Sequence, residues 1–263
     1  MAVTRPTPSE RMRTGSTGIV MLVLALGRPP MAAPQSHDTL PFTVGERLTY
    51  HVQMPKMRAS GRGIMWIEGP VDVRGTPTYL LRFDMRAGVG PIQGTDRTHS
   101  WLDHDRLTSL RYARHERHPL SSHREAVELF PDERRWDAGR GGSGESATDA
   151  PLDELSFLYF LRTLSLDPGT TIEFNRHFDA ARNPTTVRVL GRERLTTDAG
   201  EFATVVVEMR VKDPRRYRGE GVVRIHFTDD RCRLPVRIES ATPPFGTTVL
   251  TLESHSHDRG QCE

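Results

Sequence analysis

Residues 191–213 read GRERLTTDAGEFATVVVEMRVKD, and residues 219–239 read GEGVVRIHFTDDRCRLPVRIE. Apolar residues occupy every second position of three runs: Val205, Val207, Met209 and Val211, then Val223, Ile225 and Phe227, then Val236 and Ile238. This alternation is typical of β-strands that have one buried and one solvated face. The turn formers Asp198-Ala199-Gly200, Asp213-Pro214 and Asp229-Asp230 bound these runs, so the stretch predicts consecutive antiparallel hairpins.

The same period of two recurs on both sides of this stretch. It predicts further strands over residues 46–54, 61–68, 79–85, 98–102, 107–114, 123–130, 171–178, 186–195 and 247–253, which makes eleven or twelve in all. We expect residues 140–150 to form a flexible loop, and residues 151–164 to form one apolar helix with Asp149 as its N-cap. Helices do not alternate with the strands, so an α/β fold is excluded. The fold class is therefore all-β, an antiparallel meander forming an open or partly closed barrel with one short helix packed against it.

The N-terminus has the pattern of an export signal. Arg5, Arg11 and Arg13 precede the apolar run of residues 15–27, which is shorter than the roughly 20 residues of a transmembrane span. We expect residues 1–33 to be a signal peptide or an N-terminal anchor, and the protein to be exported to the periplasm or the outer envelope. A wrongly assigned start codon is the remaining alternative.

The domain boundaries follow from this pattern. Residues 34–41 form a spacer, residues 42–254 one β domain, and residues 255–263 a flexible tail. Loss of residues 1–33 removes four arginines and one glutamate, so the formal charge falls from +2 to about −1. A protein without excess positive charge has no electrostatic basis for binding nucleic acid.

The two cysteines, Cys232 and Cys262, leave two alternatives open. In an oxidising compartment they can pair and tie the tail to the turn near residue 230. Closure of a loop of that length is worth roughly 3–4 kcal/mol on the chain-entropy model. Two unpaired thiols are the other alternative.

Four motifs resemble the bacterial DUF3108 family. They are VGERLTYHV at residues 44–52, DELSFLYFLR at 153–162, GRERLTTDAGEF at 191–202 and DDRCRLPVRI at 229–238. The resemblance covers residues 41–253, and the last two motifs are the most distinctive. It implies an exported, envelope-associated antiparallel β protein of unestablished activity. It supplies no catalytic residues.

The sequence contains no convincing catalytic, metal or cofactor site. The histidines at positions 99, 104, 115, 118, 123, 255 and 257 are best explained as surface residues. Asp198 belongs to a hairpin turn and Asp137 precedes a loop, which argues against a paired-aspartate site. Ser143 lies in a sequence that departs from the G-x-S-x-G pattern of hydrolases. We therefore predict a protein that is not an enzyme and has neither a metal nor a cofactor.

Charged and aromatic residues give two further candidates. Arg192, Glu193 and Arg194 are expected to form ion pairs with Asp229 or Asp230 across neighbouring hairpins, a contact that either fixes strand register or grips an anionic headgroup. Eight aromatic residues are expected either to fill the core or to line an apolar cavity under the helix. They are Tyr50, Trp66, Tyr79, Phe83, Trp101, Phe157, Phe160 and Phe174.

These observations predict a non-catalytic envelope protein that binds a hydrophobic or lipid-like ligand, or an envelope protein partner. The alternative is a structural or protein-interaction module without a ligand, which uses a sheet edge or the loop at residues 140–150. A hydrolase is the least supported interpretation.

Overall fold

Fourteen strands and one α-helix make up the part of the chain that the computed structural model describes, residues 40–213, 219–242 and 246–256. The strands before the helix are β1 Arg47–Met54, β2 Ala59–Val73, β3 Thr76–Val89, β4 Ile92–Asp103, β5 Thr108–His118, β6 Ser121–Phe130, β7 Arg135–Asp137 and β8 Ser143–Glu145. The helix α1 spans Glu154–Arg162. The later strands are β9 Thr171–Phe174, β10 Thr185–Thr197, β11 Gly200–Lys212, β12 Glu220–Thr228, β13 Pro235–Thr242 and β14 Gly246–Ser256.

All fourteen strands belong to one antiparallel sheet. Its order is β8-β7-β6-β5-β4-β3-β2-β1-β14-β13-β12-β11-β10-β9. Each strand therefore pairs with its sequence neighbours except that β8 does not pair with β9, and β1 also pairs with β14. The sheet curls, because β10 and β14 come into contact although three strands lie between them. It does not close, since β8 and β9 remain as its two edges. The predicted fold class, an antiparallel meander forming an open barrel with one short helix, is confirmed.

The core lies between the concave face of this sheet and α1. Val205, Val207 and Met209 of β11 point into it, as the alternation predicts. All residues from Leu155 to Arg162 are 8% exposed or less, so the helix is buried around its whole circumference. A helix that is apolar on all sides is stable only when other elements cover every face.

The N-cap of the helix lies four residues after the predicted N-cap Asp149. Asp153 is the N-cap, because its carboxylate accepts hydrogen bonds from the backbone N–H groups of Leu155 and Ser156 at 2.9 and 3.0 Å. Leu152, which was expected to be helical, is extended and forms a bridge with His177. The prediction of Asp149 as N-cap was wrong because a second acidic residue lay closer to the apolar run.

The sequence analysis did not predict the two short strands β7 and β8. The stretch predicted as a flexible loop contains a 3-10 turn at Gly139–Gly141 and the strand β8, which pairs with β7. Ser146 then anchors the chain, since its hydroxyl donates a hydrogen bond of 2.9 Å to the carbonyl of Phe178. At the other end β14 extends to Ser256, two residues into the predicted tail, and residues 257–263 lie outside the described part of the chain.

Candidate functional site

Six of the eight aromatic residues proposed as cavity lining face the interior. Tyr50, Phe157 and Phe160 are buried, whereas Tyr79, Phe83 and Phe174 are partly buried against the same core. Phe157, Phe160 and Phe174 pack edge to face, with ring centroids 5.3–5.8 Å apart. This trio joins α1 to the edge strand β9.

The other two aromatic residues lie on the outer face of the sheet. Met65 and Ile67 point into the core, so Trp66 between them points outward, where Arg47 and Arg82 each lie 5.5 Å from its ring. Trp101 packs edge to face with His99 and lies under Arg111, and its neighbours Ser100 and Leu102 are buried. The prediction that Trp66 and Trp101 line an internal cavity is therefore corrected.

Part of the concave face is apolar and only partly covered. Thirteen apolar residues of the described chain pack against the core yet retain exposure, and we call six of these the concave margin: Met54, Phe83, Met85, Phe174, Val211 and Val223. They come from β1, β3, β9, β11 and β12. None of them carries a charge, so the concave margin is a surface that favours apolar contact.

A buried ion pair fixes the C-terminal end of α1. The guanidinium of Arg162 donates hydrogen bonds of 2.6 and 2.7 Å to the two carboxylate oxygens of Glu46, which directly precedes β1. It also donates to the carbonyls of Cys232 at 2.9 Å and Pro41 at 2.7 Å. Burial lowers the pKa of the Arg162 guanidinium, but the charge of Glu46, its hydrogen bonds and the nearby Tyr159 and Tyr50 together hold that pKa above its ordinary value.

A second buried polar cluster fixes the N-terminal end. Besides capping the helix, the Asp153 carboxylate accepts hydrogen bonds from the hydroxyls of Ser100 at 2.6 Å and Ser109 at 2.8 Å. Ser156 completes a capping box by accepting the Asp153 N–H. Burial raises the pKa of the Asp153 carboxyl, and the hydrogen bonds from Ser100, Ser156 and Ser109 hold back part of that rise. With both ends tied to the sheet, α1 forms a fixed wall of the concave face.

An open cleft of about 460 Å³ lies on the outer face of β10–β13. The buried His226 places its Nε2 atom 2.8 Å from a carboxylate oxygen of Glu193, a contact that the sequence analysis missed. The cleft is otherwise lined by arginine, glutamate, glycine and aliphatic residues. No serine, threonine or cysteine is among these lining residues, so the His226–Glu193 pair has no side-chain hydroxyl or thiol among them to activate.

The predicted ion pair between neighbouring hairpins is present beside this cleft. Arg192 Nε donates a hydrogen bond of 2.7 Å to Asp229, whereas Arg194 pairs with Glu201 of the adjacent strand. In the described part of the chain, no group of three or more His, Cys, Asp or Glu side chains is arranged to hold a metal ion. Cys232 is buried, and its pairing with Cys262 stays a prediction because Cys262 lies outside the described residues.

Among residues 40–213, 219–242 and 246–256, no helix has the length and apolarity needed to cross a membrane. None of the curated proteins compared matches the chain.

The solved structures that align with the chain include the following two. A β-barrel-like protein of the domain of unknown function DUF1849 from Brucella abortus aligns over 81% of this chain and 98% of its own, with a TM-score of 0.56 and 10% identity. A protein of YmcC-like fold from Bacteroides fragilis aligns over 83% and 98%, with a TM-score of 0.31 and 12% identity. At such identity the first resemblance concerns the fold alone.

The sequence itself matches a family model over residues 47–253, from the first residue of β1 almost to the end of β14. The model is that of DUF3108, described as a protein of unknown function. Since the match covers more than half of the chain, the protein belongs to the DUF3108 family.

Proposed function

We propose that this protein is exported to the cell envelope and binds a hydrophobic or lipid-like ligand on the concave face of its sheet, without catalysing a reaction. The observation that carries the proposal is the concave margin. Six uncharged apolar side chains face inward, yet α1 does not cover them fully. Concave, mostly apolar surfaces are the usual sites of small-molecule binding.

The rigid wall beside this surface supports the proposal. Phe157 and Phe160 of α1 meet Phe174 at the margin, and Arg176 lies 4.4 Å from the Phe160 ring. The Arg162–Glu46 pair and the Asp153 cluster hold α1 in place at its two ends. A preformed apolar site binds more tightly because little ordering is required on binding.

Export is supported by the sequence. Three arginines precede the apolar run of residues 15–27, which is the pattern of a signal peptide.

The two outermost strands are too short to favour the alternative of an interaction module that adds a partner strand, whereas β6 and β10 extend beyond them over residues 121–127 and 190–197 and leave that alternative a possible site. The edge strands β8 and β9 have three and four residues. Natural proteins use short edge strands to prevent pairing with other chains.

The proposal is tested by titrating the protein with a fluorescent fatty acid. We expect a saturable, one-to-one increase in fluorescence, which unlabelled lipid reverses. Phe174→Ser removes an aromatic wall of the site and should weaken binding about tenfold, because most of a phenylalanine contact is lost. Trp101→Ser, on the outer face, is the matched control and should leave the affinity unchanged. Equal losses in both variants, or no saturable binding, would contradict the proposal.

A further inference from the structure

Three hairpin tips lie at one end of the sheet. They connect β1 to β2 at residues 55–58, β3 to β4 at residues 89–92 and β5 to β6 at residues 118–121. In a meander, alternate hairpins point the same way, so all three share one end. We call these twelve residues the tip surface.

The three tips also lie next to one another along this end of the sheet. Ser60 of β2 pairs with Gly88 of β3, and a Cβ on Gly94 of β4 would lie 3.0 Å from the His118 ring. With adjacent strands about 4.8 Å apart, the tips from β1 to β6 span roughly 24 Å.

The tip surface is where this molecule exposes most of its large apolar side chains. Six such residues are exposed in the described part of the chain, and four are in the tips: Met57 at 46%, Val89 at 52%, Ile92 at 62% and Leu120 at 100%. The other two, Val44 and Leu190, lie apart from the tips. A proline stands in each tip, at positions 55, 91 and 119.

Charge distinguishes the three tips from four turns at the opposite end of the sheet. Residues 54–62, 85–95 and 117–124, which include the tips, contain six lysine or arginine residues and no aspartate or glutamate. Arg58, Arg86 and Arg117 are exposed among them. The turns at the opposite end, residues 72–75, 103–106, 197–200 and 229–233, contain six aspartates and four arginines. This distribution orients the tips towards an anionic surface.

We propose that the tip surface docks on an anionic lipid bilayer, with Met57, Val89, Ile92 and Leu120 inserted among the headgroups. Binding at a membrane interface requires apolar side chains flanked by basic residues, because the free energy of burying the apolar groups adds to that of attraction to anionic headgroups. Docking is a property of the tips and does not depend on a ligand at the concave margin.

The test places a tryptophan at a tip and measures its quenching by brominated lipid in the full chain. Leu120 is fully exposed, so Leu120→Trp leaves the core unchanged, and Leu190→Trp on the outer face is the matched control. With vesicles of brominated phosphatidylcholine and phosphatidylglycerol, we expect quenching at position 120 and none beyond background at position 190. Brominated lipid quenches only a tryptophan close to it, so membrane binding through residues 15–27 alone does not quench a tryptophan at position 120.

Two further variants separate the contribution of the basic residues to membrane binding from that of the apolar side chains. Reversal of the charges at Arg58, Arg86 and Arg117 to glutamate should weaken binding on the order of a hundredfold or more, because each basic residue near an anionic surface contributes to attraction. Ile92→Ser should weaken it about tenfold, as expected for loss of one large apolar contact.

Three outcomes would overturn the proposal. They are equal quenching at positions 120 and 190, equal quenching with vesicles of phosphatidylcholine alone, and a lipid-free dimer in which position 120 is shielded. The last would assign the tips to a second copy of the chain.

Discussion

The guanidinium of Arg162 and the carboxylate of Glu46 form a fully buried ion pair that joins the end of α1 to the start of β1. Their side chains are 0% and 2% exposed, and two hydrogen bonds of 2.6 and 2.7 Å connect them. The carbonyl of Cys232 completes the site. Three of the four motifs that relate this chain to the DUF3108 family therefore meet at a single guanidinium.

Removal of one partner of this pair should be strongly destabilising. We expect Arg162→Met to lower the free energy of unfolding by about 3–5 kcal/mol, because it leaves the Glu46 carboxylate buried without a counter-charge. The measurement is urea unfolding at neutral pH. Glu46→Leu combined with Arg162→Met should cost less than Arg162→Met alone, since no unpaired charge remains. A single-variant loss below 1 kcal/mol would contradict a buried, coupled pair.

Two neighbouring tyrosines should respond differently to loss of the hydroxyl group. Tyr50 donates a hydrogen bond of 2.8 Å to the carbonyl of Pro235, whereas the buried Tyr159 hydroxyl has no partner among the described residues. We expect Tyr50→Phe to cost about 1 kcal/mol and Tyr159→Phe to be neutral or stabilising. Thermal unfolding of both variants checks this. A larger loss from Tyr159→Phe than from Tyr50→Phe would indicate that the Tyr159 hydroxyl is satisfied by a bound molecule.

The N-cap of α1 should make a pH-dependent contribution. The folded protein raises the pKa of Asp153 above its unfolded value of about 3.9, so it binds this proton more tightly than the unfolded chain does. The contribution of Asp153 is therefore largest below that value, and it falls as the pH rises through the raised pKa. Asp153→Asn keeps the cap without the titration.

The difference in unfolding free energy between wild type and Asp153→Asn should thus decrease between pH 4 and pH 7. Asp153→Ala is the control, because it also loses the cap and should cost about 1 kcal/mol more than Asp153→Asn at neutral pH. If the difference in unfolding free energy between wild type and Asp153→Asn is constant with pH, Asp153 does not have a raised pKa in the folded protein.

If Cys232 and Cys262 are bonded, the intact protein should gain two alkyl groups only after reduction. The bond closes a loop of about 30 residues and should stabilise the protein by roughly 3–4 kcal/mol. Mass spectrometry of the alkylated protein, with and without reductant, checks the bond. Alkylation of both cysteines under denaturing conditions without reductant would contradict it.

The sequence predicted a structural feature correctly where residues close together in the chain determine that feature, and failed where residues far apart in the chain determine it. The alternation in β11 is fixed by neighbouring residues, and its buried face was predicted correctly. In β2 the even and the odd positions are both apolar, Ile64 and Trp66 on one face and Met65 and Ile67 on the other, so the pattern did not identify the inward face. In β4 the inward position is the polar Ser100, because its partner is Asp153, 53 residues away.

The polar sites were harder to predict for the same reason. Glu46 and Arg162 are 116 residues apart, and nothing near either one in sequence identifies its partner. Apart from Glu154 at its first position, Arg162 is the charged residue of a largely apolar helix, and that charge was the available signal. The strands β7 and β8 have three residues each, which is too short for a period of two to be recognised.

The central claim is that the concave margin holds a hydrophobic molecule, and native mass spectrometry tests it most directly. The protein is purified gently from the envelope of cells that produce it, and an organic extract is analysed in parallel. We predict one lipid-like adduct, stoichiometric in wild type and Trp101→Ser and clearly substoichiometric in Phe174→Ser. A bare protein mass in all three samples, with no lipid in the extract, would contradict the account.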